Sequence, residues 1–422
     1  MVDDTKIRCV SLNCWGLKFV AKNLEQRIDY IIEELVKSDY DIIALQEIWV
    51  FAHYEKVQRA VTNRLPHSKF FYSGALGAGL AIFTRFPIIE TGMQPYSLNG
   101  LPIDVAGGDW FVGKGAAHIV ILHPLLGQVQ IFNTHLFAKG GQPHQIVNAW
   151  EYARLARSAA EVGRFVIGLG DYNATPTELP ITIIRDYAGL TDTWPVCYPN
   201  VNQNTITDPL EAVDRLGITA DSPLNTWTAG KSYAQGTLGK RLDYVWYRQP
   251  NRPGQVIPIV RAIQSKVVLK DRCPGQNYSY SDHFGLEATL EIVAQTTDTH
   301  SHIPPTPSAA QSELSNASVS TAIQALTENY RTSTERSRKE LTIFVLSLLV
   351  LLAVVVGTAW LPHAWINPIF ILFTIFMSWL ATTFLYQGFI FGNWERNALM
   401  NCIEDLEIYR KGQDILNGRR SP

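Results

Sequence analysis

Five short segments of the sequence place a chemically useful side chain where an apolar run ends. Each apolar run has the composition of a strand, so each polar side chain is expected where that strand gives way to a loop. Layered α/β enzymes carry their functional side chains on such loops. The residues are Asn13 in SLNCWG, Glu47 in ALQEIW, His135 in NTHLF, Asp171 and Asn173 in GLGDYNATP, and Asp282 and His283 in YSDHFGL.

These residue types suit hydrolysis assisted by a divalent metal. The carboxylate of Glu47 offers a hard oxygen that suits Mg²⁺, and the amide oxygen of Asn13 would add a second ligand without further charge. Asp171 and Asn173 stand two apart on an extended segment and should point the same way. There they could orient a water molecule and bind a phosphate oxygen. His283 is the candidate general base, because an imidazole titrates near neutral pH.

Taken one at a time, these residues also have ordinary explanations. A single histidine such as His135 is more often a surface residue or a hydrogen-bonded core residue than a catalytic one. Glu47, after an apolar strand, could be no more than a charge at a strand end. The chemical interpretation therefore depends on a fold that brings the five segments together.

The first 294 residues alternate β-branched runs with helical patterns, which is typical of an α/β or layered α+β domain. A helix is predicted where Leu24, Ile28, Ile31 and Leu35 recur at helical spacing. The predicted strands cover residues 7–13, 41–48, 79–85, 118–122, 129–135, 165–171, 242–247 and 286–293. A region of this length can bury a substantial core.

Charge and cysteine content exclude some classes of protein. The chain has 36 basic and 38 acidic residues, and its first 298 residues hold 27 basic against 29 acidic ones. Nucleic-acid-binding proteins usually show a basic excess, so no nucleic-acid partner is expected. The five cysteines lack C-x-x-C spacing and predict reduced thiols. The N-terminal segment has no secretory signal pattern, so folding in the cytosol is expected.

Six motifs, taken in their order along the chain, resemble the endonuclease/exonuclease/phosphatase superfamily. They are LNCWG, LQE, THL, GDxN, RLDY and SDH, and the resemblance covers residues 5–294. It implies an α/β fold, a four-layered α/β/β/α sandwich like that of deoxyribonuclease I. In this superfamily the site lies at one edge, where loops of both sheets converge.

The resemblance also implies roles for individual residues. Glu47, Asn13 and Asp282 would form the metal site, with Mg²⁺ as the metal and Mn²⁺ as a substitute. Asp243, in KRLDYVWY, would fix the tautomer of the final histidine, His283; its other explanation is an ordinary charge on an edge strand. Under the same resemblance, His135 would stabilise charge on the phosphate or protonate the leaving oxygen.

The segment GGDWFVGKGAA contains G-x-x-x-x-G-K from Gly108 to Lys114, but it is not a nucleotide-binding loop. Gly115 stands where such a loop needs Ser or Thr, and a strand rather than a helix is predicted to follow. The segment resembles a loop of neutral sphingomyelinases and their fungal inositol-phosphosphingolipid relatives. That resemblance implies that Asp109 and Lys114 govern substrate engagement. The alternative is a rigid glycine turn with two solvated charges.

The C-terminal region is predicted to enter a membrane. Residues 295–330 form a predicted flexible Ser/Thr/Pro-rich linker. The 54 residues from 341 to 394 contain no Asp, Glu, Lys or Arg. They predict two transmembrane helices, at 341–361 and 369–391, followed by a cytosolic tail at 392–422. Nine Lys and Arg residues flank the two spans and none lies between them, which places both termini and the catalytic domain in the cytosol. The alternative is a helical hairpin buried in a soluble domain.

Together, these features predict an enzyme tethered beside its lipid substrate. The resemblance implies hydrolysis of a sphingolipid phosphodiester, either sphingomyelin or inositol-phosphoceramide, to ceramide and a phosphorylated headgroup. The expected partners are the membrane sphingolipid and an anionic phospholipid as activator. An inositol-polyphosphate phosphatase is the enzymatic alternative, although RLDYVWY lacks the PAWxDR pattern, and an inactive membrane scaffold is the non-enzymatic one. The sequence leaves three properties open: the headgroup of the lipid, the oligomeric state, and the membrane, which is the endoplasmic reticulum or another one.

Overall fold

The computed structural model describes residues 3–104, 108–138, 142–294, 313–360 and 363–418. The chain forms two units. Residues 1–99 with 108–315 make the first, and residues 100–107 with 316–422 make the second.

Two six-stranded sheets form the centre of the first unit. The first sheet has the order β11-β12-β1-β2-β4-β3 and the second the order β5-β6-β7-β8-β10-β9. The strands are β1 Lys6–Asn13, β2 Ile42–Gln46, β3 His67–Phe71, β4 Leu80–Thr84, β5 Ile88–Pro95, β6 Gly115–His123, β7 Gly127–His135, β8 Phe165–Asp171, β9 Thr191–Asp192, β10 Asp243–Arg248, β11 Ile259–Val268 and β12 Gly285–Val293. All eight strands expected from the sequence are present, with ends shifted by a few residues.

Helices pack against the two sheets. Those of the first unit are α1 Leu24–Lys37, α2 Phe51–Val61, α3 Gln142–Glu161, α4 Leu179–Thr182, α5 Thr193–Cys197 and α6 Pro209–Leu216, with a π-helix at Ile183–Tyr187 and a 3-10 turn at Gln203–Thr205. Ile28 and Leu35 of α1 pack in an apolar cluster with Ile43 of the first sheet. On the other side, Tyr152 of α3 contacts Phe132 of the second sheet.

The main core lies between the two sheets. Ile42 and Ile82 of the first sheet share one buried cluster with Ile131 and Ile167 of the second. Burial of apolar side chains from both inner faces stabilises the fold by about 25 cal/mol for each Å² removed from water. The layers are therefore α/β/β/α, as predicted.

The register of the strands sets the position of the polar strand ends. β1 and β2 are parallel, so Asn13 pairs with Gln46 and the next residue, Glu47, leaves the same edge. β7 and β8 are also parallel and pair His135 with Asp171. Antiparallel β10 then places its first residue, Asp243, opposite Asp171. All of these ends therefore meet at one edge of the sandwich.

The second unit is helical. It contains α7 Asn316–Gly357, α8 Asn367–Leu385 and α9 Gly392–Gly418, with 3-10 turns at Thr358–Trp360 and Ala364–Ile366 and a π-helix at Tyr386–Phe391. Gly388 and Gly392 pack against Ser337 of α7, and the Ser337 hydroxyl donates to the carbonyl of Gly388. Small residues at these positions let the helices approach closely. Two helices here are long and apolar enough to cross a membrane.

The structure corrects part of the predicted linker at 295–330. Residues 295–312 lie outside the described residues, but α7 already begins at Asn316. Val319, Ala322 and Leu326 are buried, and α7 packs against α9. These side chains recur every three or four residues, so the segment is an amphipathic helix. The Ser- and Thr-rich composition concealed that spacing. The predicted tail at 392–422 is likewise helical as far as Gly418.

Candidate active site

A hydrogen-bonded pair of Asp243 and His283 lies at the edge where the strands end. The Nδ1 atom of His283 is 2.9 Å from Oδ2 of Asp243, and its Nε2 atom is 3.7 Å from Oδ2 of Asp171. Asp243 and Asp171 are buried, and the imidazole is 12% exposed. The pair therefore orients the histidine so that Nε2 remains for a reacting group.

The charge around His283 favours its protonated form. Burial alone would lower its pKa, but the carboxylates of Asp243 and Asp171 outweigh burial and raise the pKa well above the usual value. For Asp171, burial raises the pKa to about 6, and the nearby imidazole opposes that effect. The two carboxylates would thus stabilise a proton on this imidazole.

Glu47 and Asn13 form a second group next to this pair. The Asn13 amide nitrogen donates to Glu47 Oε1 and to Asp171 Oδ2, both at 3.0 Å. Burial, followed by the neighbouring Asp282 carboxylate, raises the pKa of Glu47 to about 7. Burial likewise raises the pKa of Asp282. Two half-buried carboxylates with raised pKa values repel each other here, an arrangement that a divalent cation would stabilise.

The orientation of Asn13 differs from that of a metal ligand. Its oxygen accepts from the backbone N–H of Trp15 at 3.0 Å, so the amide nitrogen faces the carboxylates. In this orientation Asn13 holds the Glu47 and Asp171 side chains in place by donating to them. Coordination through oxygen would require the amide to turn over, and the predicted ligand role of Asn13 stays a prediction.

Among the described residues, one group of three offers ligand atoms within 4.8 Å of one another: Asp171, Asp243 and His283. In this group the Nδ1 atom of His283 is already used by Asp243. Mg²⁺ prefers oxygen ligands in octahedral geometry. A cation bound through oxygen atoms would therefore suit the carboxylates of Glu47 and Asp282 better than this group.

His135 and Lys114 form the other side of the site. The Nε2 atom of His135 is 3.1 Å from the Lys114 amine and 3.5 Å from Asp171 Oδ2. Burial, then the positive charges of Lys114 and His283, hold the pKa of His135 well below its usual value, so the ring is neutral. The structure thus places a cation, Lys114, directly against the predicted phosphate-stabilising histidine.

Asp109 and Lys114 are paired and enclosed rather than solvated. The Lys114 amine lies 3.1 Å from Asp109 Oδ1 and 3.0 Å from the carbonyl of Leu136. Lys114 is 1% exposed. The other carboxylate oxygen of Asp109 accepts from the N–H of Ala138. The alternative of two solvated charges on a glycine turn is wrong for this pair.

Glycine in this segment permits close contact between backbones. A Cβ at Gly113 would lie 2.3 Å from the carbonyl carbon of Ser73, and one at Gly115 would lie 2.3 Å from the carbonyl oxygen of Gln94. Both glycines are therefore required by packing. Gly108, at φ 75°, is the position where the left-handed backbone itself calls for glycine.

Asn173 is held beside Asp171 in a left-handed conformation. Its N–H donates to Asp171 Oδ1 at 2.9 Å, and its amide donates to the carbonyl of Leu136 at 3.0 Å. Its φ is 48°, Glu47 has φ 54°, and Trp15 has φ 45°. Non-glycine residues adopt such angles at a cost, and clusters of them mark functional sites.

Arg27 supports the site and was not found from the sequence. This buried guanidinium donates to the carbonyls of Cys14, Trp15 and Tyr280. It thereby ties the end of β1 to the segment that carries Asp282 and His283. The available signal was a charge on the apolar stripe of α1, between Leu24 and Ile28, where a solvated arginine is not expected.

The chain matches the model of the Endonuclease/Exonuclease/phosphatase family over residues 10–283. It belongs to this family. An inositol phosphosphingolipids phospholipase C of Schizosaccharomyces pombe is 35% identical over 418 residues, which are 95% of this chain and 94% of that protein. A protein of the same name in Saccharomyces cerevisiae is 29% identical over 96% of this chain and 91% of its own length. Sphingomyelin phosphodiesterase 2 of Homo sapiens is 27% identical over 68% of this chain and 65% of that protein.

Family membership bears on the metal. The family is usually metal-dependent, and the half-buried carboxylates of Glu47 and Asp282 fit a divalent cation, since desolvation and mutual repulsion raise the pKa of Glu47 to about 7. The identity of the metal remains a prediction.

Proposed function

We propose that this chain is a sphingolipid phosphodiesterase of the phospholipase C type, which releases ceramide and a phosphorylated headgroup. The observation that carries the proposal is the Asp243–His283 pair beside the Glu47 group, in a chain similar along 95% of its length to an inositol phosphosphingolipids phospholipase C. The full-length similarity to two proteins of that name makes inositol-phosphoceramide the first substrate to test, with sphingomyelin second.

The proposed chemistry uses the chain's own residues in defined roles. His283 accepts a proton from the attacking water at Nε2, and Asp243 holds its Nδ1–H and stabilises the imidazolium. Asp171 and Asn173 orient the water. Lys114 and His135 face the phosphate and its leaving oxygen. Glu47, with Asp282 and Asn13, would hold Mg²⁺, which when bound withdraws charge from the phosphate; Mn²⁺ is the expected substitute.

The helical unit is the proposed membrane anchor of the enzyme. Helices long and apolar enough to span a bilayer would anchor the enzyme next to its lipid at high effective concentration. The flanking basic residues favour a cytosolic position for both termini and residues 1–294. The proposed spans are residues 341–361 and 369–391, and the proposed membrane is that of the endoplasmic reticulum or another cellular membrane. An anionic phospholipid is the proposed activator.

The test is a comparison of substrates by the purified full-length chain. Inositol-phosphoceramide, sphingomyelin, a lysophospholipid and an inositol polyphosphate are offered side by side, with Mg²⁺ and with a chelator. We expect metal-dependent release of ceramide from at least one sphingolipid and no phosphate release from the inositol polyphosphate. Release of free phosphate without ceramide would replace this proposal with a phosphatase activity.

A further inference from the structure

The five residues Lys18–Lys22, with the sequence KFVAK, form an exposed apolar turn at the candidate active site. Phe19 is 95% exposed and Val20 is 62% exposed. The turn is closed by the N–H groups of Val20 and Ala21, which both donate to the carbonyl of Leu17. Phe19 has φ 73°, an angle that a bulky residue adopts at a cost. A side chain held in this way, with almost its whole surface in water, contributes nothing to the core.

This KFVAK loop is fixed to the rim of the site at both ends. It follows Asn13 by a few residues, and Gly16 packs so closely on the carbonyl oxygen of Glu47 that a Cβ there would lie 2.2 Å from it. At the far end, the Arg27 side chain donates to the carbonyl of Lys22 at 2.9 Å. The loop therefore stands beside the predicted metal site in a defined position.

The charges of the loop have one sign. Lys18 and Lys22 are exposed, and neither forms an ion pair with any of the residues that the structure describes. The Lys18 amine lies 5.3 Å from the centre of the Phe19 ring. Two unpaired cations on either side of two exposed apolar side chains match a surface that is negatively charged outside and apolar beneath.

We propose that the KFVAK loop docks the active site onto an anionic bilayer, with Phe19 and Val20 among the acyl chains and the two lysines at the headgroups. This inference rests on the proposed function, because docking on a bilayer serves an enzyme whose lipid substrate must reach the metal site from that bilayer. It extends that function by assigning the contact with anionic phospholipid to this loop.

Exposure alone does not single out this loop, and the chain provides a matched control. Val162 is 69% exposed and lies in the short connection between α3 and the start of β8 at Phe165. It therefore lies at the opposite end of that strand from Asp171. Its neighbours Glu161 and Arg164 are both in ion pairs. Val162 shares the exposure of the docking side chains but neither the unpaired charge nor the position at the site.

The first experiment locates the loop directly. Phe19→Cys and Val162→Cys are each labelled with a polarity-sensitive fluorophore in a full-length chain that also carries Cys197→Ser, because the other cysteines are buried. The proteins are reconstituted into phosphatidylcholine vesicles, with and without phosphatidylserine, that contain nitroxide-labelled acyl chains. We expect blue-shifted, quenched emission from position 19, stronger with phosphatidylserine, and unquenched emission from position 162. Equal emission at the two positions would overturn docking, including the case in which the loop contacts a protein instead.

The second experiment connects docking to turnover. Phe19→Ser/Val20→Ser should reduce hydrolysis of bilayer sphingolipid by about tenfold or more, because an apolar contact with the membrane is lost. Lys18→Ser/Lys22→Ser should remove about a fivefold effect of phosphatidylserine for each lysine. Val162→Ser should match the parent, and all three should hydrolyse a water-soluble phosphodiester equally well. Full bilayer activity in both loop variants would refute the inference. Failure of the parent on both substrates would instead refute the proposed function, while the quenching result would still decide docking.

Discussion

The Nδ1 atom of His283 lies 2.9 Å from a carboxylate oxygen of Asp243, although 40 residues separate them in the chain. Asp243 begins β10 and pairs with Asp171 across the second sheet. His283 lies just before β12, which belongs to the first sheet. The pair thus bridges the two sheets at the edge where the strand ends converge, and a proton acceptor is oriented only when both sheets are assembled.

This relationship predicts how the two residues act together. His283→Ala should reduce turnover by about 10² to 10⁴, the usual effect of losing an acid-base group. Asp243→Asn should reduce turnover by a similar factor, because it removes the carboxylate that fixes the tautomer of His283. The double variant should be no worse than His283→Ala, since the aspartate acts through the histidine. Steady-state rates on a water-soluble phosphodiester measure this, and fully additive losses would show that Asp243 has a separate role.

Glu47 is predicted to be the principal metal ligand. Glu47→Gln keeps the shape of the side chain but removes its charge, so we expect weak Mg²⁺ binding and loss of activity that added metal restores only in part. Glu33→Gln is the matched control, because Glu33 is exposed on α1. Calorimetric titration with Mg²⁺ and with Mn²⁺ gives the affinities. Parental affinity in Glu47→Gln would remove Glu47 from the metal site.

The position of the site at the edge of the sheets could be predicted from the sequence. The buried side chains that hold its residues in place could not. Apolar runs that end in Asn13, Glu47 and Asp171 identify strand ends, and parallel pairing brings such ends together. Strands β3, β5, β9 and β11 were not predicted. β5 has no fully buried residue, and β11 alternates buried with exposed, largely polar positions, so neither forms an apolar run. Side-chain burial is decided by contacts distant in sequence, so nothing near Lys114 indicated that its amine would be enclosed.

The enclosed amine of Lys114 leads to a third prediction. Lys114→Ala should lose hydrolysis of membrane-bound sphingolipid because it removes the cation that contacts both His135 and Asp109. Mg²⁺ affinity should stay at the parental value, since Lys114 is assigned to substrate engagement. Lys6→Ala, at the start of β1 and away from the site, is the control. Unchanged hydrolysis of vesicle lipid by Lys114→Ala would make the lysine a bystander.

A fourth prediction concerns acid stability and involves a histidine outside the site. His123 is buried, and its Nδ1 atom accepts from the N–H groups of Leu125 and Leu126 in the turn between β6 and β7. Burial and then the positive charge of Arg85 lower its pKa from 6.5 to about 4. The folded state prefers the neutral ring, so this contribution to stability is present above pH 6.5 and is lost as the pH falls toward 4. The loss is at most about 1.4 kcal/mol per pH unit.

His123→Gln removes this titration while keeping an acceptor in the turn. The variant should be less stable than the parent at neutral pH because ring contacts with Phe86 are lost. Its melting temperature should then fall less than that of the parent between pH 6.5 and 5, measured by thermal unfolding in detergent. Parallel declines in the two proteins would mean that His123 does not couple folding to protonation.

The fifth prediction is the topology of the membrane anchor. Nine basic residues flank the two apolar segments and none lies in the connection, so the connection should face the lumen or exterior and both termini the cytosol. The native sequons at Asn173 and Asn277 should therefore remain unglycosylated in cells. In sealed microsomes from cells that carry Cys197→Ser, a membrane-impermeant maleimide should label Gly412→Cys at once. It should label His363→Cys, in the connection, only after the membrane is permeabilised. Glycosylation at either sequon, or immediate labelling at position 363, would reverse or abolish the proposed orientation and place the active site away from a cytosolic leaflet.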